Sequence, residues 1–308
     1  MYDLIGDIHG HADELVALLE YLGYRQRGEV FSHPDRKVIF LGDFVDRGPK
    51  IRQVLETVRL MVLEGHALAV LGNHEWNALA YHTEDSDRPG EYLRRHTPKN
   101  EAQHRRTLEQ LDDSSLTLYL DWFRTLPLWL ELEGLRAVHA CWDQRSIDKI
   151  APVLAAEGGI TTRMLQLAGR ENAPLFDPVE IILKGKEARL PEGSVFRDKD
   201  GHERKAVRTR WYQSPIGHTY RTYALQTAPI DCDLDLHTSV LDAAAPYAAT
   251  EKPVFVGHYW LEGSHPALLA ENVACLDYSV AKDGFLCAYR WQGEQKLSNQ
   301  NFVWIAKA

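Results

Sequence analysis

Short apolar runs recur along this chain, and amphipathic segments separate several of them. Residues 38–41 read Val-Ile-Phe-Leu and stop at Gly42. A short run of this composition that ends in glycine is typical of a buried strand. Four more short runs occur at residues 3–5, 68–71, 135–138 and 254–256, and all of these except 135–138, which His139 follows directly, also end at a glycine.

Helical periodicity between the first runs predicts a β-α-β pattern. Leucines at helical spacing predict a helix over residues 12–22 that ends at Gly23, and a second helix over 51–64 follows Pro49. Further along, residues 147–167 predict a helix interrupted at Gly158. The pattern indicates an α/β fold in which strands deliver polar loops to one edge of a sheet.

The remaining elements are predicted from turn residues. Residues 116–132 predict a helix that Pro127 separates from a strand. Residues 273–280 and 284–291 predict a β-hairpin, and residues 302–305 predict a closing strand. Residues 181–210 predict a turn-rich excursion.

The 308 residues are predicted to form one domain with two insertions. Residues 81–111 are rich in charge and predict a polar insertion over the site, although a solvated surface explains most of these charges better. Residues 169–246 predict a larger insertion or subdomain.

Composition and charge limit the kinds of partner and the cellular compartment that we expect. A net charge of −9 and a pI near 5.9 argue against nucleic acid or an anionic membrane as partner. Four cysteines without CxxC spacing indicate a reducing compartment. The first strand begins within three residues of Met1, and no apolar run approaches the roughly 18 residues of a membrane helix. We therefore expect a cytoplasmic protein.

Each apolar run ends in a carboxylate, an amide or an imidazole. This repetition predicts a metal site built from strand ends. The alternatives are that Asp7 caps the first helix and that His74 is an ordinary histidine. The six candidate metal ligands are Asp7, His9, Asp43, Asn73, His139 and His258.

Six ligands without thiolate favour two divalent ions, most readily Mn²⁺, with Fe²⁺ or Zn²⁺ as alternatives. Two ions roughly 3.5–4 Å apart activate a bridging hydroxide and hold a phosphate for in-line attack. Arg47 offers a planar fork for phosphate oxygens. His74, oriented by Asp46, is the candidate acid for the leaving alkoxide.

Arg208 and Arg210 are candidate substrate-binding residues in the larger insertion. Their alternation about Thr209 would place both side chains on one face of a strand. Phosphate binding and a surface ion pair are equally compatible with this pattern.

The motifs around these residues resemble the calcineurin-like metallophosphoesterase superfamily. Within it, they are similar to the branch of serine/threonine phosphoprotein phosphatases and symmetrical diadenosine tetraphosphate hydrolases. The matching stretches are residues 6–10, 42–48, 72–75, 138–140 and 257–258.

The resemblance implies a four-layer sandwich of two mixed β-sheets flanked by helices. It also implies that Asp7, His9 and Asp43 hold one metal, and that Asp43 bridges to a second. Asn73, His139 and His258 would complete the second site. Asp46 with His74 would form an acid dyad.

Departures from the motifs leave the substrate open. Leu71 stands where the protein phosphatases carry arginine, which favours the dinucleotide hydrolases, whereas Asp46 and Glu75 favour the phosphatases. Cys141 departs from the glycine usual after His139 and Ala140.

Three hypotheses follow. The first is hydrolysis of phosphomonoesters, including phosphoprotein side chains, and the second is symmetrical hydrolysis of diadenosine tetraphosphate. The third is a metal-binding module without catalytic activity. The expected partner is therefore a phosphorylated small molecule, a phosphopeptide or a dinucleotide.

Overall fold

The computed structural model describes residues 1–197, 201, 203–225, 230, 232–282 and 284–307. In these residues the strands are β1 Tyr2–Ile5, β2 Arg25–Arg27, β3 Val30–Ser32, β4 Lys37–Phe40, β5 Ala67–Ala69, β6 Trp129–Glu131, β7 Arg136–Val138, β8 Glu187–Arg189, β9 Phe196–Arg197, β10 Glu203–Arg204, β11 Ala206–Arg208, β12 Val254–Val256, β13 Val273–Cys275, β14 Asp277–Tyr278, β15 Phe285–Trp291 and β16 Phe302–Ala306.

Helices pack around these strands. They are α1 Ala12–Tyr21, α2 Ile51–Leu63, α3 Asn73–Tyr81, α4 Pro98–Gln110, α5 Asp113–Thr125, α6 Gln144–Glu157, α7 Thr162–Ala168, α8 Phe176–Lys184, α9 Tyr220–Tyr223 and α10 Thr238–Ala243, with a 3-10 turn at Asn299–Asn301. The helices predicted over residues 12–22 and 51–64 are confirmed as α1 and α2. The helix predicted to break at Gly158 is confirmed as α6 and α7, because Gly158 ends α6 in a left-handed conformation at φ 73°.

Two mixed sheets form the centre of the molecule. The larger has the order β14-β15-β1-β4-β5, with β16 paired to β15. Strands β1, β4 and β5 run parallel, and β15 pairs antiparallel with β1. The smaller sheet has the order β13-β12-β7-β6, and its strands are parallel except for β6.

The two sheets share one hydrophobic core. The rings of Phe255 on β12 and Tyr289 on β15 lie 5.1 Å apart across the interface, and both side chains are fully buried. Apolar residues on both faces of a strand are expected where parallel strands are covered on both sides. The predicted architecture of two mixed sheets with flanking helices is confirmed.

The predicted hairpin over residues 273–291 is wrong in its first half. Residues 273–275 form β13, which pairs with β12 in the smaller sheet, whereas only residues 277–278 form β14 and pair with β15. The chain therefore passes from one sheet to the other at Leu276. A run of apolar residues fixes burial, but it does not fix which neighbour accepts the backbone hydrogen bonds. Asp283, in the predicted turn, lies outside the described residues.

The predicted excursion over residues 181–210 is also wrong at its start, because residues 181–184 complete α8. This helix packs against α6 and carries the buried side chains Val179, Ile182 and Leu183. Residues 198–200 and 202 of the excursion lie outside the described residues.

A second cluster of buried side chains occupies part of the larger predicted insertion. Its members include Ala188, Val207, Tyr220, Tyr223 and Leu236. The division into one domain with insertions at 81–111 and 169–246 stays a prediction. In the described part of the chain, no helix has the length and apolar character needed to cross a bilayer.

Candidate metal centre and acid dyad

The loops after β1 and β4 bring His9 and Asp43 together. The two side chains lie 3.5 Å apart, measured from Nε2 of His9 to Oδ2 of Asp43. Nδ1 of His9 lies 2.8 Å from the carbonyl oxygen of Val45, to which it donates. This bond fixes the tautomer and leaves the Nε2 lone pair facing Asp43.

Strand ends of the smaller sheet approach the same carboxylate from the other side. His139 Nε2 lies 3.4 Å from Oδ1 of Asp43 and 3.0 Å from Oδ1 of Asn73. The ring of His258 also meets that amide oxygen, with Nδ1 at 2.6 Å. Asp43 therefore stands between two groups of potential ligands, His9 and His74 on one side and His139 and His258 on the other.

Asp7 meets the second group through the backbone of His258. Its carboxylate accepts the backbone N–H of His258 at 3.1 and 3.2 Å. A Cβ on Gly257 would lie 2.0 Å from Asp7 Oδ1, so only glycine permits this approach. The alternative role of Asp7 as a helix cap is wrong, because the residue at that position of α1 is His11.

The electrostatics of these side chains fit divalent cations. Burial lowers the pKa of His9 to about 3, and burial followed by the charge of Arg208 holds the pKa of His258 well below its usual range. Both imidazoles are therefore neutral and available as ligands. Burial and the neighbouring Asp277 and Asp43 carboxylates raise the pKa of Asp7, a crowding of negative charge that cations would relieve.

Two atoms support the same fit. Nε2 of His9 and Nε2 of His258 are buried and have no hydrogen-bond partner among the described residues. A buried imidazole nitrogen without a partner is costly unless it meets a ligand such as a metal ion. The donor set of carboxylate, amide and imidazole suits Mn²⁺, Fe²⁺ or Zn²⁺.

Backbone strain concentrates at the predicted site residues. Left-handed φ values occur at His9, Asp43, Asp46, Arg47 and His258, between 47° and 71°. This conformation is uncommon for residues other than glycine and is found preferentially where structure holds a functional site.

The predicted acid dyad is assembled in the structure. Nδ1 of His74 lies 2.5 Å from Oδ2 of Asp46, and both side chains are buried. Burial alone would raise the pKa of Asp46, but hydrogen bonds from His104 and His74 outweigh it and lower that pKa. The ionised carboxylate fixes a proton of His74 on Nδ1 and leaves Nε2 as the ring nitrogen that does not contact Asp46.

Glu75 has a role that the sequence analysis missed. Its carboxylate accepts four backbone N–H groups, from Asp43, Phe44, Val45 and Gly72, at 2.8 to 3.2 Å. It therefore holds the turn after β4 against the start of α3. The available signal in the sequence was the position of Glu75, which follows the candidate ligand Asn73 and the candidate acid His74.

The phosphate-binding candidates differ in their placement. The guanidinium of Arg47 lies 4.0 Å from the ring centre of Trp260, in the loop after β12. Arg208 reaches the same loop, with one nitrogen 3.5 Å from the carbonyl oxygen of His258. Arg210 instead donates to the carbonyl oxygen of Ala224. The two arginines therefore make different contacts, and their roles in substrate binding stay a prediction.

A family model matches this arrangement of strand ends and ligands. Residues 2–204, which are 203 of the 308, match the model described as "Calcineurin-like phosphoesterase". The chain belongs to the calcineurin-like phosphoesterase family. The members of this family are metallophosphoesterases, and the family uses divalent metal ions.

Curated relatives match a short part of this metallophosphoesterase. The bis(5'-nucleosyl)-tetraphosphatase PrpE [asymmetrical] of Anoxybacillus flavithermus is 47% identical over 75 residues, 24% of this chain and 31% of the relative. The protein of the same name from Bacillus subtilis is 43% identical over 74 residues, 24% of this chain and 30% of the relative. The match thus spans about a third of the length of these relatives.

A solved structure covers more of the chain. The cold-active protein-tyrosine phosphatase of a psychrophilic Shewanella species is similar with a TM-score of 0.51 at 14% identity. The likeness covers 94% of this chain and 74% of that protein. At this identity it concerns the fold alone.

Proposed function

We propose that this metallophosphoesterase hydrolyses phosphomonoesters of alcohols, including phosphoprotein side chains, with two divalent ions, most readily Mn²⁺. The observation that carries the proposal is the buried contact of 2.5 Å between His74 and Asp46. An alkoxide is a poor leaving group and needs a proton in the transition state, whereas a phosphate leaving group needs it much less.

The six candidate ligands Asp7, His9, Asp43, Asn73, His139 and His258 would hold the ions. Bound ions supply an activated water and neutralise negative charge on the phosphate. Arg47, half-buried beside Trp260, binds phosphate oxygens through its planar fork. Nε2 of His74 donates a proton to the departing oxygen, while Asp46 stabilises the imidazolium before transfer.

The test compares two leaving groups in one variant. His74→Asn should lower kcat on an alkyl phosphate such as phosphoserine by roughly 100-fold or more, because a general acid contributes about 10²–10⁴-fold. Loss on 4-nitrophenyl phosphate, whose leaving group needs little protonation, should be much smaller. Equal losses on both substrates would remove His74 from the acid role.

A second candidate is a dinucleoside tetraphosphate hydrolase. The supporting observation is the short match to relatives named asymmetrical bis(5'-nucleosyl)-tetraphosphatase. That name differs from the symmetrical cleavage that the motifs alone suggested. Incubation of the metal-loaded protein with diadenosine tetraphosphate separates the outcomes, since symmetrical cleavage gives two ADP and asymmetrical cleavage gives ATP and AMP. An untouched dinucleotide would eliminate this candidate.

A further inference from the structure

Helix α4 presents a stripe of polar side chains to the loop after β4, which carries Asp46. The stripe consists of four residues that are one, three and three positions apart, a spacing that places them on one face of a helix. They are Gln103, His104, Thr107 and Gln110. His104 and Thr107 are buried, whereas the neighbouring Arg105, Arg106 and Leu108 are exposed. A helix usually buries apolar side chains, so a buried polar face requires specific partners.

The two buried members of the stripe meet the same carboxylate oxygen. Oδ1 of Asp46 accepts the Thr107 hydroxyl at 2.6 Å and lies 3.0 Å from Nδ1 of His104. The backbone N–H of Asp46 donates to the Thr107 hydroxyl oxygen in return, at 3.0 Å. The other oxygen, Oδ2, is left for His74. Three donors therefore fix the plane of one carboxylate.

The outer members of the stripe anchor the helix to the same region. Gln110 donates to the carbonyl oxygen of Gly48 at 2.9 Å and accepts the backbone N–H of Ile51 at 2.7 Å. Nε2 of Gln103 lies 3.4 Å from Nε2 of His74. Oε1 of Gln103 accepts a hydrogen bond from the guanidinium of Arg94 at 2.8 Å. Helix α4 thus contacts both His74 and the start of α2.

We propose that His104 and Thr107 are positioning residues for the acid, holding Asp46 in the one orientation that aligns His74 with the leaving group. This inference rests on the proposed function, because it assigns these residues to the same acid step. A carboxylate without this second anchor would rotate about its Cβ–Cγ bond, and the acid would be misaligned. Misalignment lowers the rate only where protonation of the leaving group limits it.

The first experiment uses conservative pairs at both positions. Thr107→Val removes the hydroxyl at constant shape, and Thr107→Ser restores it. His104→Leu removes the ring nitrogen, and His104→Asn keeps a donor close to the position of Nδ1. We expect Thr107→Val and His104→Leu to lower kcat on phosphoserine roughly tenfold, part of the general-acid contribution. On 4-nitrophenyl phosphate the loss should stay within about twofold, because that leaving group needs little protonation.

A double-mutant cycle separates positioning from a general structural effect. In the His74→Asn background, Thr107→Val should cause no further loss on phosphoserine. Arg106→Ala, an exposed neighbour on the same helix, is the matched control and should leave both activities unchanged. Equal losses on both substrates, or the same loss with and without His74, would overturn the proposal.

Failure of the proposed function can be distinguished from failure of this inference, because the wild-type protein would then hydrolyse neither phosphoserine nor 4-nitrophenyl phosphate. Thermal midpoints of the full chain then decide the inference. Thr107→Val should lower the midpoint more in the wild type than in an Asp46→Ala background, since the hydrogen bond from the hydroxyl to that carboxylate is absent there, whereas the bond from the backbone N–H of residue 46 remains. Additive shifts would show that Thr107 stabilises the helix without acting on Asp46.

Discussion

At the scale of single residues, the backbone of the turn after β4 depends on one side chain. The carboxylate of Glu75 accepts two N–H groups on each oxygen, and its side chain is fully buried. Those donors belong to residues 43–45 and 72, and Asp43 is in the left-handed conformation at φ 54°. The hydrogen bonds offset the cost of this strained turn.

We predict that Glu75→Gln lowers the free energy of unfolding by about 2–4 kcal/mol. The new amide group faces two buried N–H donors, and each buried donor without an acceptor costs about 1–3 kcal/mol. Urea unfolding measures the loss. Glu29→Gln, at an exposed position, is the control and should change the free energy by less than about 0.5 kcal/mol. Equal stabilities of the two variants would contradict the role of Glu75.

At the scale of elements, the residue that caps the start of helix α6, Asp143, also forms an ion pair with another segment. Asp143 accepts from the backbone N–H of Ser146 at 2.9 Å and from its hydroxyl at 2.7 Å, and it forms an ion pair with Lys186 at 2.7 Å. Burial would raise the pKa of Asp143, but the Lys186 and Ser146 hydrogen bonds outweigh it and lower the pKa. The cap thereby connects α6 to the segment between α8 and β8.

We predict that Asp143→Ala lowers the free energy of unfolding by about 1–2 kcal/mol at pH 7, through loss of the cap. A carboxyl group whose pKa is lowered by folding stabilises the protein above its unfolded pKa, near 4. This contribution is lost as the pH falls through the lower folded pKa. The difference between wild type and Asp143→Ala should therefore shrink below about pH 4.

Unfolding of these proteins at pH 7 and pH 3 provides the measurement. Asp143→Asn is the informative companion, because asparagine also caps helices but carries no charge for Lys186. It should keep most of the stability lost in Asp143→Ala while removing the pH dependence of the site. A difference between wild type and Asp143→Ala that is independent of pH would contradict the ion pair.

At the scale of the whole molecule, the candidate ligands come from both sheets. Asp7 and Asp43 follow strands of the larger sheet, and His139 and His258 follow strands of the smaller one. Ions bound between them would connect the two sheets as well as serve the reaction. Any ligand that binds only the folded state raises its stability by mass action.

We predict that metal removal lowers the thermal midpoint and that Mn²⁺ restores it together with activity. A concentration of 100 times Kd corresponds to about 2.7 kcal/mol of stabilisation for one site. Calorimetry with elemental analysis checks the shift and the number of ions, for which we expect two per chain. Asp43→Asn should weaken both effects, whereas Glu29→Gln should respond as the wild type. An unchanged midpoint would contradict a structural contribution of the ions.

The sequence by itself determined the strand ends and their chemistry. Apolar runs that stop before Asp, Asn or His, four of them through a glycine, identified β1, β4, β5, β7 and β12, because burial and turn geometry leave a local signature. The pairs His9 with Asp43 and Asp46 with His74 were accessible in the same way, since all of these residues lie next to such runs.

Only the tertiary structure decided which distant groups complete the site. The stripe on α4 reads as a charged surface helix until Asp46 is placed against His104 and Thr107. The division of residues 273–278 between two sheets depends likewise on neighbours far away in sequence. Hydrogen-bond partners of this kind leave no periodic pattern, because long-range packing rather than local conformation selects them.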